Sequence, residues 1–249
     1  MTRTFDEAWT AVAGVEGWMT RGQGEALYEA ARGCPPGGRI VEIGSFQGRS
    51  TIVLASAAAD GVEVVAIDPH AGNDRGPQEI DGFVDEARTD RAVFEANLER
   101  AGVTDRVRHV AAFSAAAHDE VEGPIDVLYI DGAHRYSPAR ADIRDWGARV
   151  SDGGTLLIHD SFSSIGVTAA IGRELVAGPR FRYVGRSRSL AEYRADLAGR
   201  GRSARVVNAA AQLAQLPWFA RNVGLKVLLT LGAGPVLRRL GRPVPDWPY

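Results

Sequence analysis

Five short aliphatic runs, joined by segments with helical spacing, constrain the fold of this chain more than any other feature. They are Arg39 to Ile43, Val62 to Ile67, Val107 to Ala112, Ile125 to Ile130 and Gly154 to Ile158. The runs lack apolar–polar alternation, so each is read as a strand buried on both faces. Between them, Arg49 to Ala59, residues 82–101 (with Phe83, Phe94 and Leu98) and residues 137–149 read as helices. Strands and helices in alternation build a parallel sheet with helices on both sides. A helix near 166–177 leads to Phe181 to Val184 and Ser189 to Tyr193, a final pair of strands compatible with antiparallel pairing. Residues 4–33 read as two helices divided by Gly14 and Gly17, and Cys34-Pro35-Pro36-Gly37-Gly38 breaks the chain before the first strand. The expected fold is α/β, a doubly wound, seven-stranded and mostly parallel sheet. It spans 37–200, with an N-terminal helical cap at 1–36 and a helical C-terminal extension at 201–249.

The strand ends carry the chemistry. Glu42-x-Gly44, Asp68, Asp131 and Asp160 close successive strands. In an open doubly wound sheet that edge is where ligands bind. The first turn, Val41-Glu42-Ile43-Gly44-Ser45-Phe46-Gln47-Gly48-Arg49-Ser50-Thr51, brackets a strand-to-helix passage with Gly44 and Gly48. Its E-x-G-x-x-x-G spacing is longer than the G-x-G-x-x-G of pyrophosphate binders. It suits a cationic ligand bearing an amino acid, in contact with Gly44, Ser45, Gly48 and Ser50. Asp68, in Ile67-Asp68-Pro69-His70, is placed to accept hydrogen bonds from both hydroxyls of a ribose. Phe113 and Ser114, after the third strand, would flank the base, although Ser114 also reads as a helix N-cap.

The segments Asp131-Gly132-Ala133-His134 and Ile158-His159-Asp160-Ser161 bring two carboxylates to neighbouring strand ends. Such a pair repels unless a cation or a proton lies between. Oxygen ligands favour Mg²⁺ or Ca²⁺ over zinc. His134 is a candidate general base, the alternative being a cap or packing residue. His159 reads as a residue that holds its loop or touches ligand indirectly.

These residues resemble the class I S-adenosylmethionine-dependent methyltransferases over roughly residues 38–195. The segments I-D-G-A-H-R-Y and D-G-G-T-L-L-I-H-D narrow the resemblance to metal-dependent O-methyltransferases of actinomycetes that act on sugar hydroxyls of macrolides and polysaccharides. The cephalosporin hydroxylase group is also similar. The resemblance implies a Rossmann-like sheet and S-adenosylmethionine held by Glu42, Gly44, Asp68 and Ser114. It further implies Mg²⁺ on Asp131 and Asp160 and His134 as base. The family's third metal ligand is a carboxylate or Asn, and here that position is Ser161. The acceptor would be a small molecule or oligosaccharide. An N-methyltransferase, a hydroxylating relative and a non-catalytic S-adenosylmethionine-binding scaffold are the alternatives. A scaffold has no use for the acids and histidine of the edge.

Composition bounds the remaining possibilities. Hydrophobic residues make up 45% and charged residues 24% of 249, as in globular domains. The single cysteine, Cys34, fits a reducing, cytoplasmic setting. Met1 to Thr10 has no apolar run and is not read as a secretory signal. The net charge of −2 conceals an asymmetry, because Arg180 to Tyr249 holds 13 Lys and Arg against three Asp and Glu. With no aromatic-and-basic platform, nucleic acid is not expected as a partner. In the extension, Ala209 to Leu216 and Val223 to Leu240 read as helices carrying Lys226, Arg238 and Arg239. Trp218, Phe219 and Arg221 are placed between them, and Trp247 and Tyr249 near the end. Such a tail can rest on a membrane as a basic interfacial helix. The preferred reading is a helical hairpin packed on the core or across a homo-oligomer.

Overall fold

The computed structural model describes residues 2–71, 83–176, 178–199 and 201–232, together with 235 and 239. Residues 72–82 lie outside the described residues. So do Arg238, Trp247 and Tyr249.

Seven strands form one sheet in the order β3-β2-β1-β4-β5-β7-β6. They are β1 (Arg39–Ile43), β2 (Glu63–Ile67), β3 (Val107–Val110), β4 (Ile125–Ile130), β5 (Val150–Ile158), β6 (Phe181–Ser187) and β7 (Leu190–Ala195). The first five run parallel, while β7 runs antiparallel between β5 and β6. The expected sheet is therefore present, with β5 four residues longer at its start than its apolar run. Strand order reverses between β1 and β4, so the crevice at their carboxyl ends is the switch point where doubly wound sheets bind ligands.

Both faces of the sheet are buried. On one, α1 (Phe5–Ala11), α2 (Arg21–Arg32), α3 (Arg49–Ala57) and α4 (Phe83–Ala101) bury Val12, Leu27, Leu54, Phe94 and Leu98 against Ile40, Val64 and Tyr129. On the other, α5 (Tyr136–Ala141), α6 (Ile165–Ile171) and the segments after them bury Ile143, Trp146 and Ile171 against Val41, Val65 and Leu128. Capping boxes start the first two helices. Thr4 pairs with Glu7, and Thr20 with Gln23. Gly14 and Gly17, both at positive φ, divide them as expected.

Two expectations are corrected. Residues 137–149 do not form one regular helix. After α5 the chain widens into a π-turn at Asp142–Trp146 and tightens into a 3₁₀ turn at Gly147–Arg149. The C-terminal helices also fall elsewhere, as α7 (Arg202–Leu213) and α8 (Leu216–Thr230). Trp218, Phe219 and Arg221 lie inside α8, because Pro217 occupies its first turn, where a missing N–H costs nothing.

Candidate functional site

The parallel ladder continues one step past the strands and aligns the edge. Gly44 N–H donates to Ile67, Asp68 N–H to Val110, Asp131 N–H to Ile43 and His159 N–H to Ile130. Asp68, Asp131 and Asp160 thus reach one rim through main-chain register.

Beneath the rim lies a cavity of about 370 Å³, within the range for small-molecule sites. Its walls include Gly44, Ser45, Ser50, Asp68, Pro69 and His70, and on the far side Phe113, Ser114 and Asp131. Gly44 has φ +86°, and a Cβ there would stand 2.3 Å from the Asp131 carbonyl oxygen. The ends of β1 and β4 therefore meet backbone to backbone, and only glycine permits it. Gly48, at φ +89°, starts α3 against the Phe94 ring and lies behind the wall. Asp68 is fixed by two main-chain donors, Phe46 N–H to Oδ2 and His70 N–H to Oδ1, each at 2.8 Å. The Ser45 hydroxyl is buried with no hydrogen-bond partner among the described residues. A lined cavity with an orphaned hydroxyl and a fixed carboxylate fits the nucleoside and amino-acid parts of S-adenosylmethionine.

Glu42 lies elsewhere than expected. It is fully buried and off the cavity wall, where its carboxylate accepts hydrogen bonds from the Ser50 and Thr51 hydroxyls. Burial, more than any other influence, pushes its pKa up to about 8. In this position it ties the start of α3 to β1 under the glycine turn.

Asp131, His134 and Asp160 come together, each offering a ligand atom within 4.8 Å of the others. His134 Nε2 lies 3.0 Å from Asp160 Oδ2, and the Tyr129 hydroxyl donates to Asp131 at 2.9 Å. His159 is inserted between the carboxylates, with Nδ1 3.2 Å from Asp131 and 3.6 Å from Asp160. Burial opposes a charge on His159, but the two acids outweigh it and push its pKa up to about 10. Burial likewise opposes ionisation of Asp160, yet His159 and His134 hold it well below the usual carboxylate range. One imidazolium against two carboxylates leaves a negative charge at the rim. This donor set fits a divalent cation as regards charge and its two carboxylates. Ser161 does not join the cluster. It is fully buried, and its hydroxyl donates to the Ile158 carbonyl at 2.9 Å. His134 lines a smaller adjoining cavity, which shares Asp131, Gly132 and Ala133 with the larger one.

Several wall residues carried no signal in the sequence. Asp142 accepts a hydrogen bond from Ser114 at 2.6 Å, and burial pushes its pKa up to about 6. The π-turn brings it to the cavity, and such turns often sit at functional sites. Glu16 to Met19 form another wall, where Trp18 packs against Phe46 with ring centroids 5.5 Å apart. Arg49 holds this segment down by donating to the Val15 carbonyl at 2.6 Å. Phe46, His70, Asp160 and Phe162 all take left-handed backbone conformations at this one edge. Non-glycine residues store strain there, a cost that clusters at functional sites.

Residues 41–161 match the sequence model of a family described as "Methyltransferase domain". An uncharacterized protein, y4gI of Sinorhizobium fredii, is 29% identical over 126 residues, which is 49% of this chain and 13% of that protein. The chain thus spans a small part of that curated relative's length. Among solved structures, the O-methyltransferase NovP is similar with a TM-score of 0.56 and 16% identity, over 72% of this chain and 83% of its own. A protein from Corynebacterium glutamicum gives 0.54 and 16%, over 79% and 93%. The cofactor-bound protein Rv0187 from MTB gives 0.51 and 20%, over 79% and 88%. At these identities the likeness is one of fold.

Proposed function

We propose that this chain, whose residues 41–161 match the methyltransferase-domain model, transfers the methyl group of S-adenosylmethionine to a hydroxyl of a sugar, polysaccharide or glycosylated natural product. The observation that carries this reading is the adjacency of the two cavities. A nucleoside-sized pocket walled by Gly44, Ser45 and Asp68 shares Asp131 with the cluster that contains His134 and Asp160.

S-adenosylmethionine supplies a methyl group already activated by its sulfonium. The protein's task is to align an acceptor oxygen and to remove its proton. Asp68 accepts from the ribose hydroxyls, held for it by Phe46 and His70 N–H groups. Phe113, 66% exposed at the cavity mouth, and Ser114 flank the adenine. Asp160 takes the Nε2–H of His134 and so fixes its tautomer, leaving Nδ1 as the lone pair that receives the acceptor proton. The acceptor oxygen then bonds to the methyl carbon as the carbon–sulfur bond breaks, and the electron pair returns to sulfur. Asp131 and Asp160 would hold Mg²⁺, which lowers the pKa of a hydroxyl bound to it. Trp18, Met19 and Arg135 form the wall that meets the acceptor.

The test is calorimetric titration with S-adenosylhomocysteine, followed by methyl-transfer assays on a panel of sugars with Mg²⁺ and with EDTA. Binding with transfer to a sugar hydroxyl is the expected result. No affinity for S-adenosylhomocysteine would remove the proposal.

A further inference from the structure

We propose that α7 and α8 form a docking face for a membrane surface rich in anionic phospholipid. These helices are arranged inside out. The residues they bury are amides rather than aliphatic side chains. Asn208 accepts from Tyr183 N–H at 2.8 Å and donates to the Phe181 carbonyl at 3.0 Å. Gln212 is buried beside Tyr193, and Asn222 donates to the Phe162 carbonyl at 3.0 Å. The aliphatic residues face outward. Val206, Leu213, Leu216, Val227, Leu228 and Leu231 are 45–77% exposed. Val206, Ala210 and Leu213 follow one another along one side of α7, and Ala220, Gly224, Val227 and Leu231 along one side of α8. Each stripe lies opposite the buried amides. A soluble surface helix turns its apolar stripe to the core; α7 does the reverse, and α8 packs Trp218 and Phe219 inward beside Asn222 while a second apolar stripe stays exposed.

Charge identifies the occupant. Arg202, Arg205 and Arg221 are exposed on the same pair, and the sequence from 197 to 245 holds no Asp or Glu. A second copy of the chain seated on this face would bring like charges together. A bilayer with anionic headgroups accepts both the aliphatic stripe and the arginines, whose long stems reach phosphate height. No described helix is long and apolar enough to cross a membrane, so the pair lies along the surface. The inner side of α8, opposite this face, is tied to the segment after the rim, where Lys226 Nζ donates to the Ser163 carbonyl at 3.0 Å, three residues past Asp160. The inference rests on the outer faces of α7 and α8 alone and stands apart from the methyl-transfer reading.

The test is flotation of the full chain with vesicles of phosphatidylcholine alone or mixed with phosphatidylglycerol. Melting temperature serves as the folding control. The expected result is at least about tenfold stronger partition onto the anionic vesicles, weakened by salt. The double change Leu213→Asp with Leu231→Asp should abolish it at unchanged melting temperature. Arg202→Gln with Arg205→Gln should weaken it severalfold. Absence of flotation overturns the proposal, as does flotation untouched by the aspartate changes. A dimer detected by sedimentation and dissolved by those changes would assign the face to a second copy instead.

Discussion

At the scale of single residues, the proposed reading separates side chains that would act from those that position. His134 touches Asp160 and has an accessible flank, whereas Glu42 is fully buried and off the wall of the larger cavity. His134→Ala should therefore keep affinity for S-adenosylhomocysteine and lose turnover by about 10²–10⁴-fold, as loss of a general base does. Full activity in that variant would reassign the base. Glu42 makes a different prediction. Its pKa is raised from 4.5 to about 8 in the folded chain, so between those values the folded state keeps a proton that the unfolded chain has released. Stability then falls as pH rises through that window and levels off on either side. Glu42→Gln removes this contribution. The melting temperature of the wild type relative to the variant should fall between pH 4.5 and pH 8. Parallel melting curves for the two proteins would show that Glu42 does not titrate in this way.

At the scale of elements, α6 sets the loop that carries His134. A Cβ at Gly166 would stand 2.2 Å from the His134 carbonyl oxygen, and Ser164 Oγ reaches the same oxygen at 3.3 Å. Gly166→Ala must push helix and loop apart. Turnover should drop at least about tenfold, with S-adenosylhomocysteine affinity little changed, because the turn after β1 and Asp68 are untouched. The exposed neighbour Ile165, changed to Ala, is the control and should retain activity. Equal loss in both variants would break the link between α6 and His134.

Legibility in the sequence followed burial at this scale. β1 and β4 were readable to the residue because strands buried on both faces leave largely apolar runs without strict alternation. The start of β5 was missed because Ser151-Asp152-Gly153 lies toward solvent and looks like a turn. The π-turn was invisible, since an extra residue per turn leaves the composition unchanged, and with it went the arrival of Asp142 in the cavity. Trp218, Phe219 and Arg221 were read as lying between two helices, although Pro217 in the first turn of α8 places them inside it. The acids of the rim were legible because each ends a strand. The depth of Glu42 was not, because it depends on Ser50 and Thr51 facing back from α3.

At the scale of the whole molecule, the negative rim and the cavity proposed to take the sulfonium share one electrostatic balance. If Mg²⁺ completes that balance, EDTA should depress turnover and added Mg²⁺ should restore it, with the affinity for S-adenosylhomocysteine measured in parallel as the control. Turnover indifferent to both would leave His159 as the compensating charge and His134 as sole base. The C-terminal pair bears on the same rim from behind, through Asn222 on Phe162. Asn222→Ala leaves that carbonyl unpaired and should lower stability by about 1–3 kcal/mol, read by denaturant titration. An unchanged midpoint would mean that α8 is held by other contacts.

The close approach of Gly44 to the Asp131 carbonyl joins the two cavities through main chain alone. On the proposed reading, the distance between methyl donor and acceptor would then be set by the sheet rather than by a rotamer. Acceptor preference would accordingly be retuned through removable walls such as Trp18 and Arg135 while the transfer distance stays constant. A chain of this design would change what it modifies without relearning how.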